Sequence, residues 1–169
     1  FMTMGVRQSF GLYLGPISTD LGLPTQVFAL SLAVQNLLLG VLQPFASALA
    51  DKFGTARMVA VGGVMHVVGV LIMANANSAW DLHTGAGLLV GLASTATTFS
   101  LILGAVGRAV SPERRSMALG IAAASASLGQ LIGAPMNQHL IGAIGWSPTL
   151  LIMAVALGAI VPLSMALRG

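Results

Sequence analysis

Charge is what this chain has least of: 7 Lys and Arg and 4 Asp and Glu in 169 residues, so that 7% of positions are charged and 56% are hydrophobic. A soluble domain carries charge on about a quarter of its residues. With a mean hydropathy of +0.93, the chain is read as one that lives in a bilayer. Cysteine is absent altogether, which removes disulfides and thiolate metal sites. Also missing are a His pair at i and i+4, a pair of acids inside an apolar run and a glycine-rich loop able to cradle phosphate. Ser125 and Ser127 lie in a small-residue stretch without a His at matching depth, so an intramembrane protease would lack its base. No enzyme activity, cofactor or metal site is expected.

What is present is a series of apolar runs too long and too unbroken for barrel strands. Backbone groups in hydrocarbon have no water to bond, so each crossing must be a helix of about 20 residues. The runs predict an all-α membrane protein with six spans at roughly 1–19, 25–49, 57–75, 82–108, 116–141 and 148–167. Short connections make it one antiparallel bundle.

Lys52 and Arg57 fall in the second connection, Arg108, Arg114 and Arg115 in the fourth, and Arg168 after the sixth span, whereas the odd connections near Asp20, Asp81 and Trp146 hold no Lys or Arg. The positive-inside rule therefore puts the even connections and both chain ends in the cytoplasm. The pI near 10.7 reflects this topology, and nucleic acid is not an expected partner. The chain starts with Phe1 inside an apolar run and stops at Gly169 just after another, which predicts a piece of something longer. No cleavable signal peptide is evident.

Helix punctuation agrees with the spans. Ser147-Pro148 and Ser111-Pro112-Glu113 each place a capping hydroxyl before a proline at the first helical position, the second with an acid in the first turn. Gly11 and Gly15, Gly87 and Gly91, and Gly129 and Gly133 are each four apart, and each pair makes a groove where a neighbouring backbone can approach.

The stretch Ser47-Ala48-Leu49-Ala50-Asp51-Lys52-Phe53-Gly54-Thr55-Ala56-Arg57 resembles the cytoplasmic signature of the major facilitator superfamily between its second and third helices. Asp51, Lys52, Gly54 and Arg57 match; Ser47 stands for the leading Gly and Ala56 for one basic residue. Gly54 suits a tight turn and Asp51 a helix N-terminus across a domain interface. An ordinary basic turn is the plainer reading. Gly120, Gly129 and Gly133 reproduce the spacing that opens a fifth-helix motif of exchangers in that superfamily, with Pro135 one position late and Asn137-Gln138 in place of a glycine pair. A kinked packing helix explains these residues equally well.

The resemblance covers the whole chain, as one six-helix half of a twelve-helix fold. Arg7-Gln8-Ser9-Phe10-Gly11-Leu12-Tyr13 is similar to the first helix of the monocarboxylate and oxalate/formate branch. It implies a secondary active transporter moving a small organic anion as two halves rock about a central site, in a bacterial inner (plasma) membrane. The bilayer and the second six-helix half are its implied partners. A six-helix homodimeric channel or structural subunit is the alternative.

Arg7 is the residue on which physics and resemblance meet. At about 1.5 Å per residue it lies roughly 16 Å from Ser18, near the middle of a core about 30 Å thick. A cation there costs at least ~2.5 kcal/mol and must face a wet cavity or pair with an anion. Asp20, Asp51, Asp81 and Glu113 all fall at span ends, so a substrate carboxylate gripped by two parallel hydrogen bonds is the expected partner. Snorkelling to the surface, or an acid in the other half, stays open. Gln8, Gly11, Gln35, Thr98 and Gln130 complete the expected substrate-binding set, and Asp51, Lys52, Gly54, Arg57, Gly129, Gly133 and Pro135 the gating set. Thr hydroxyls near Thr98 have their own helix carbonyls as competing partners. His66 is expected to make a structural hydrogen bond, and His83 and His139 to be solvated at the outer surface.

Overall fold

The computed structural model describes residues 2–159 and 161–162, with only the backbone of 2–8, 99, 100 and 109. The order is α1 (Met2–Leu21), α2 (Thr25–Phe53), α3 (Thr55–Ala74), α4 (Ala79–Leu82), a π-helical segment (His83–Leu89), α5 (Val90–Ala96), α6 (Phe99–Ala109), α7 (Pro112–Ile144) and α8 (Trp146–Gly158). The four pieces from Ala79 to Ala109 follow one another as a composite fourth span. Thr25–Phe53, Thr55–Ala74, Ala79–Arg108 and Pro112–Ile144 are long and apolar enough to cross a membrane, and Trp146–Gly158 is a shorter apolar helix.

At about 1.5 Å per residue the 29 residues of α2 and the 33 of α7 both exceed a core about 30 Å thick. Their polar ends therefore project from the bilayer. Asp51 and Lys52, expected in a connection, lie in the last turn of α2, and one residue, Gly54, joins α2 to α3. Its φ of +91° and ψ of 137° suit a residue without Cβ, and its N–H still bonds the Ala50 carbonyl at 2.9 Å.

Two helix starts differ from expectation. Helix α8 begins at Trp146 with Gly145 as its N-cap, and Ser147 Oγ donates to the Ala74 carbonyl at 2.6 Å, tying α8 to the end of α3. Ser111 does precede Pro112 at the start of α7, without a hydrogen bond from its side chain to the helix backbone. A tertiary acceptor won the first hydroxyl, and the second bonds the Glu113 side chain in the first turn of α7.

The fourth span is the larger departure, since one continuous helix was expected. Its first turns widen into the π-helical segment, and regular helix stops at Ala96, where Thr97 adopts φ −110°, ψ 23° and Thr98 φ −58°, ψ 142°. The break is stitched by side chains. Thr97 Oγ1 donates to the Ala93 carbonyl at 2.9 Å, while Thr98 Oγ1 reaches the Ser94 and Thr95 carbonyls at 3.0 and 2.8 Å. Such re-satisfaction by hydroxyls is what lets a broken helix persist in hydrocarbon.

Helices in lipid gain little from apolar burial and associate by close packing around small residues. An added Cβ at Gly62 would sit 2.7 Å from Thr97 Cγ2, and one at Gly69 2.9 Å from Val90 Cγ2, so α3 is pressed against α5. Gly87 and Gly91 do the same for α2: their added Cβ atoms would lie 3.2 Å from the Ser31 carbonyl and 3.1 Å from Gln35 Cα. Helix α1 pairs chiefly with α7, α3 also with α8, and α6 with α7. The core gathers Phe10, Tyr13 and Ile17 of α1, Phe28 of α2, Val70 and Met73 of α3, and Leu150 and Leu157 of α8.

Both rims are fastened. On one, Trp146 Nε1 donates to Asp20 Oδ2 at 2.6 Å, and Ser78 and Asp81 form a reciprocal capping box at the start of α4. On the other, Arg108 Nη2 donates to Thr55 Oγ1 at 2.9 Å and Arg115 Nε to the Gly107 carbonyl at 2.9 Å.

Candidate functional site

Helix α1 has two unlike faces. Ser9, Phe10, Tyr13 and Ile17 are buried, whereas Gly11 and Gly15 are exposed and an added Cβ at either meets nothing within 4 Å. Arg7 precedes these glycines by one and two turns, on the same face of the helix. The backbone of Arg7 and Gln8 runs in α1, and their side chains lie outside the described residues. A helical surface of glycine beside a cationic position is a shallow, unobstructed wall.

The opposite face of α1 holds a polar cluster that the sequence did not disclose. Tyr13 Oη donates to Asn137 Oδ1, and Asn137 Nδ2 donates to Ser9 Oγ at 3.2 Å and to the Gly133 carbonyl at 2.8 Å. Tyr13, Ser9 and Asn137 are all buried. Gly129 and Gly133 are buried two turns and one turn before Asn137, on the face of α7 turned to α1. Pro135 and Gln130 of α7 are exposed. The pairing spans 124 residues of sequence, and the one available clue was an Asn where the exchanger spacing wants glycine.

The remaining polar residues divide into satisfied and orphaned groups. Thr95 Oγ1 bonds back to the Gly91 carbonyl at 2.9 Å, as Thr97 and Thr98 do to theirs. Asn36 Nδ2 returns to the Leu32 carbonyl at 2.8 Å. His83 is half-buried with Nδ1 2.9 Å from Ser31 Oγ, which is also 3.0 Å from the Val27 carbonyl. It is tied to α2 where a solvated surface ring was expected, while His139 is exposed. By contrast, Gln35 Oε1, His66 Nδ1 and Ser94 Oγ are buried with no hydrogen-bond partner among the described residues. His66 nevertheless has the structural hydrogen bond expected of it, to the backbone of Gly62 one turn earlier in α3.

At the α2–α3 turn, Asp51, Lys52, Gly54 and Arg57 are exposed. Lys52 Nζ stands 5.4 Å from the centroid of the neighbouring Phe53 ring. Asp51 sits at the negative end of the α2 dipole, an unfavourable place for a carboxylate. No group of three His, Cys, Asp or Glu able to hold a metal ion occurs among the described residues.

An all-helical unit of membrane-length segments, a one-residue turn carrying Asp51-Lys52-x-Gly54, and an open glycine face on its first helix define a transport fold. The chain belongs to the Major Facilitator Superfamily, whose family model matches residues 1–168. It is 33% identical to mouse monocarboxylate transporter 11 over 99% of this chain and 37% of that protein, and 32% identical to bovine monocarboxylate transporter 13 over 98% and 40%. It is 28% identical to the uncharacterized MFS-type transporter YhjX of Escherichia coli K12 over 94% and 39%. The chain thus spans about two fifths of the length of these relatives. It is an integral, multi-pass membrane protein of a transporter family.

Proposed function

We propose that this chain is the N-terminal half of a secondary active transporter that moves a small, monocarboxylate-like organic anion by rocker-switch alternating access. The observation that carries the reading is the α1 face on which Gly11 and Gly15 stand open one and two turns beyond Arg7. Glycines remove the side chains that would otherwise cover a buried cation, and a guanidinium at that depth requires an anion. Two relatives are named for monocarboxylates, which agrees with a carboxylate as that anion.

Arg7, Gln8 and Gly11 form the proposed substrate wall, and Gln130, exposed on α7, is a further proposed ligand. Gln35 and Thr98 are engaged in helix contacts in this conformation, and enter as ligands only if the fourth span shifts. Asp51 is the proposed gate: its carboxylate, disfavoured by its own helix, gains from a helix N-terminus in the second half, with Lys52, Gly54 and Arg57 shaping the turn. Gly129, Gly133 and Pro135 would let α7 slide on α1 as the halves rock. We place the protein in a bacterial inner membrane with both chain ends cytoplasmic, because its basic residues cluster at one rim.

Uptake of a panel of labelled mono- and dicarboxylates by the full-length transporter tests the site. Arg7→Lys keeps the charge and loses the two-pronged grip, so apparent affinity should fall by ~1–3 kcal/mol, the range for hydrogen bonds to charged groups. Arg7→Gln should do worse, since a bound anion is then desolvated without a counter-charge. Wild-type affinity in both variants would remove Arg7 from the site.

A further inference from the structure

The polar cluster between α1 and α7 lies back to back with the proposed substrate wall. Ser9 and Tyr13 are one turn apart on α1, and both are held by the single side chain of Asn137. Two residues advance a helix by about 200°, so Arg7 and Gly11, each two residues from Ser9, and Gly15, two from Tyr13, stand on the opposite side of α1 from the cluster. Burial agrees with this placement: Ser9 and Tyr13 are enclosed, whereas Gly11 and Gly15 are exposed with open space around an added Cβ. A rotation of α1 that withdrew Arg7 from the wall would also pull Ser9 and Tyr13 off Asn137.

The direction of the Asn137 amide is set from its own helix. Nδ2 donates to the Gly133 carbonyl one turn earlier in α7 at 2.8 Å and to Ser9 Oγ at 3.2 Å. Both N–H groups are thereby placed, and Oδ1 is the acceptor presented to the Tyr13 hydroxyl. Two contacts one turn apart, made by one oriented amide, fix α1 about its own axis. Phe10 and Ile17 are buried beside them, but lipid tails are as apolar as a helix neighbour, so apolar side chains alone set a rotation weakly. A tyrosine hydroxyl turned away from its acceptor into hydrocarbon is penalised, which makes the polar contacts the selective ones. Helix α1 has its main contact with α7, the helix that carries Asn137.

We propose that Asn137 is a positioning residue for the substrate: in the conformation described, it acts through Ser9 and Tyr13 to set the rotation of α1 and so turns Arg7, Gly11 and Gly15 toward the anion. This rests on the reading of the Arg7 face as the substrate wall. Asn137 is 1% exposed behind α1, so it touches no substrate itself and acts only through the helix it holds.

Thiol accessibility in the full-length transporter reads the rotation directly, because this half has no cysteine of its own and any in the second half can be replaced. Gly11→Cys, Gly15→Cys, Leu12→Cys and Leu14→Cys, one per molecule, are treated with a small water-soluble thiol reagent in the parent and in Asn137→Leu. In the parent, the cysteines at 11 and 15 should react fastest and be protected by added monocarboxylate. In Asn137→Leu that preference should be lost, with reactivity moving to 12 or 14, and carboxylate uptake should lose apparent affinity. Adding Arg7→Lys to Asn137→Leu should then cost less affinity than Arg7→Lys does alone, since the guanidinium is already misdirected. An unchanged reactivity pattern, or affinity losses that add in full, would overturn the positioning role even where the melting temperature falls, because a merely structural tie lowers stability alone. Unreactive cysteines at 11 and 15 in the parent would instead overturn the substrate wall, and the proposal with it. Ser9→Ala/Tyr13→Phe removes the same two contacts from the α1 side and strands no hydroxyl, so it must give the same shift in reactivity and decides the matter if Asn137→Leu fails to fold.

Discussion

The Asn137 cluster offers the most direct energetic test of the fold. Asn137→Leu keeps the volume of the side chain roughly constant while deleting its bonds from Tyr13 and to Ser9 and Gly133. Two of these cross from α1 to α7, and an interhelical hydrogen bond in a membrane protein averages ~0.6 kcal/mol. The Tyr13 hydroxyl is then buried without its acceptor, at a cost of about 1–3 kcal/mol. The loss should be about 2–4 kcal/mol. Tyr13→Phe removes one bond and keeps the ring, including its edge-on packing at 6.4 Å from Phe10, and should cost under about 1.5 kcal/mol. The informative species is the double variant Tyr13→Phe/Asn137→Leu, which strands no hydroxyl and should recover part of the loss. Purified protein would be unfolded by heat, with each kcal/mol worth ~2–4 °C in a domain of this size. If Asn137→Leu melts with the parent, or the two substitutions add, the cluster does not hold α1 to α7.

Alanine at Gly62 or Gly69 should lower stability by about 1–3 kcal/mol, as overpacking does, whereas alanine at Gly40 or Gly120, where an added Cβ meets nothing within 4 Å, should be neutral or stabilising; melting curves of the four variants decide. Asp51→Asn in the full-length transporter should slow uptake while expression and melting temperature stay near the parent's, because a helix-dipole contact is worth only ~0.3–2 kcal/mol; a normal uptake rate would remove the gating role. The cysteine-free background suits topology mapping: an impermeant thiol reagent outside intact cells should label cysteines at Asn77 or Ser147 and spare those at Lys52 or Arg114, and the reverse pattern would invert the proposed orientation.

The membrane class, the helical segments and the turn at Gly54 were legible because each leaves a local mark: apolar length, loop charge, a glycine beside an acid. Gly87 and Gly91 announced a close approach by their spacing, and α2 fills it. The same spacing at Gly11 and Gly15 marks a face left open, since a small-residue groove says nothing of its occupant. The Thr97–Thr98 break was hidden inside an apolar run, and Ser94-Thr95-Ala96-Thr97-Thr98, rich in hydroxyls able to repair a ladder, was the available hint. Hydrogen bonds between distant segments, such as Tyr13 to Asn137 and Ser147 to Ala74, leave no mark in either local stretch. Whether a serine caps its own helix or reaches another depends on neighbours that only the fold supplies.

Helix α3 finds its neighbours late in the chain, in α5 and α8, and this bears on how the protein is made. During synthesis α3 leaves the translocon with Gly62, Gly69 and His66 facing lipid, and the segments that cover them, Val90–Ala96 and Trp146–Gly158, have yet to emerge. A bilayer tolerates the glycines but solvates an imidazole poorly. Helix α3 is therefore enclosed well after it is inserted, which gives any chaperone at the membrane a defined interval and a defined surface on which to act.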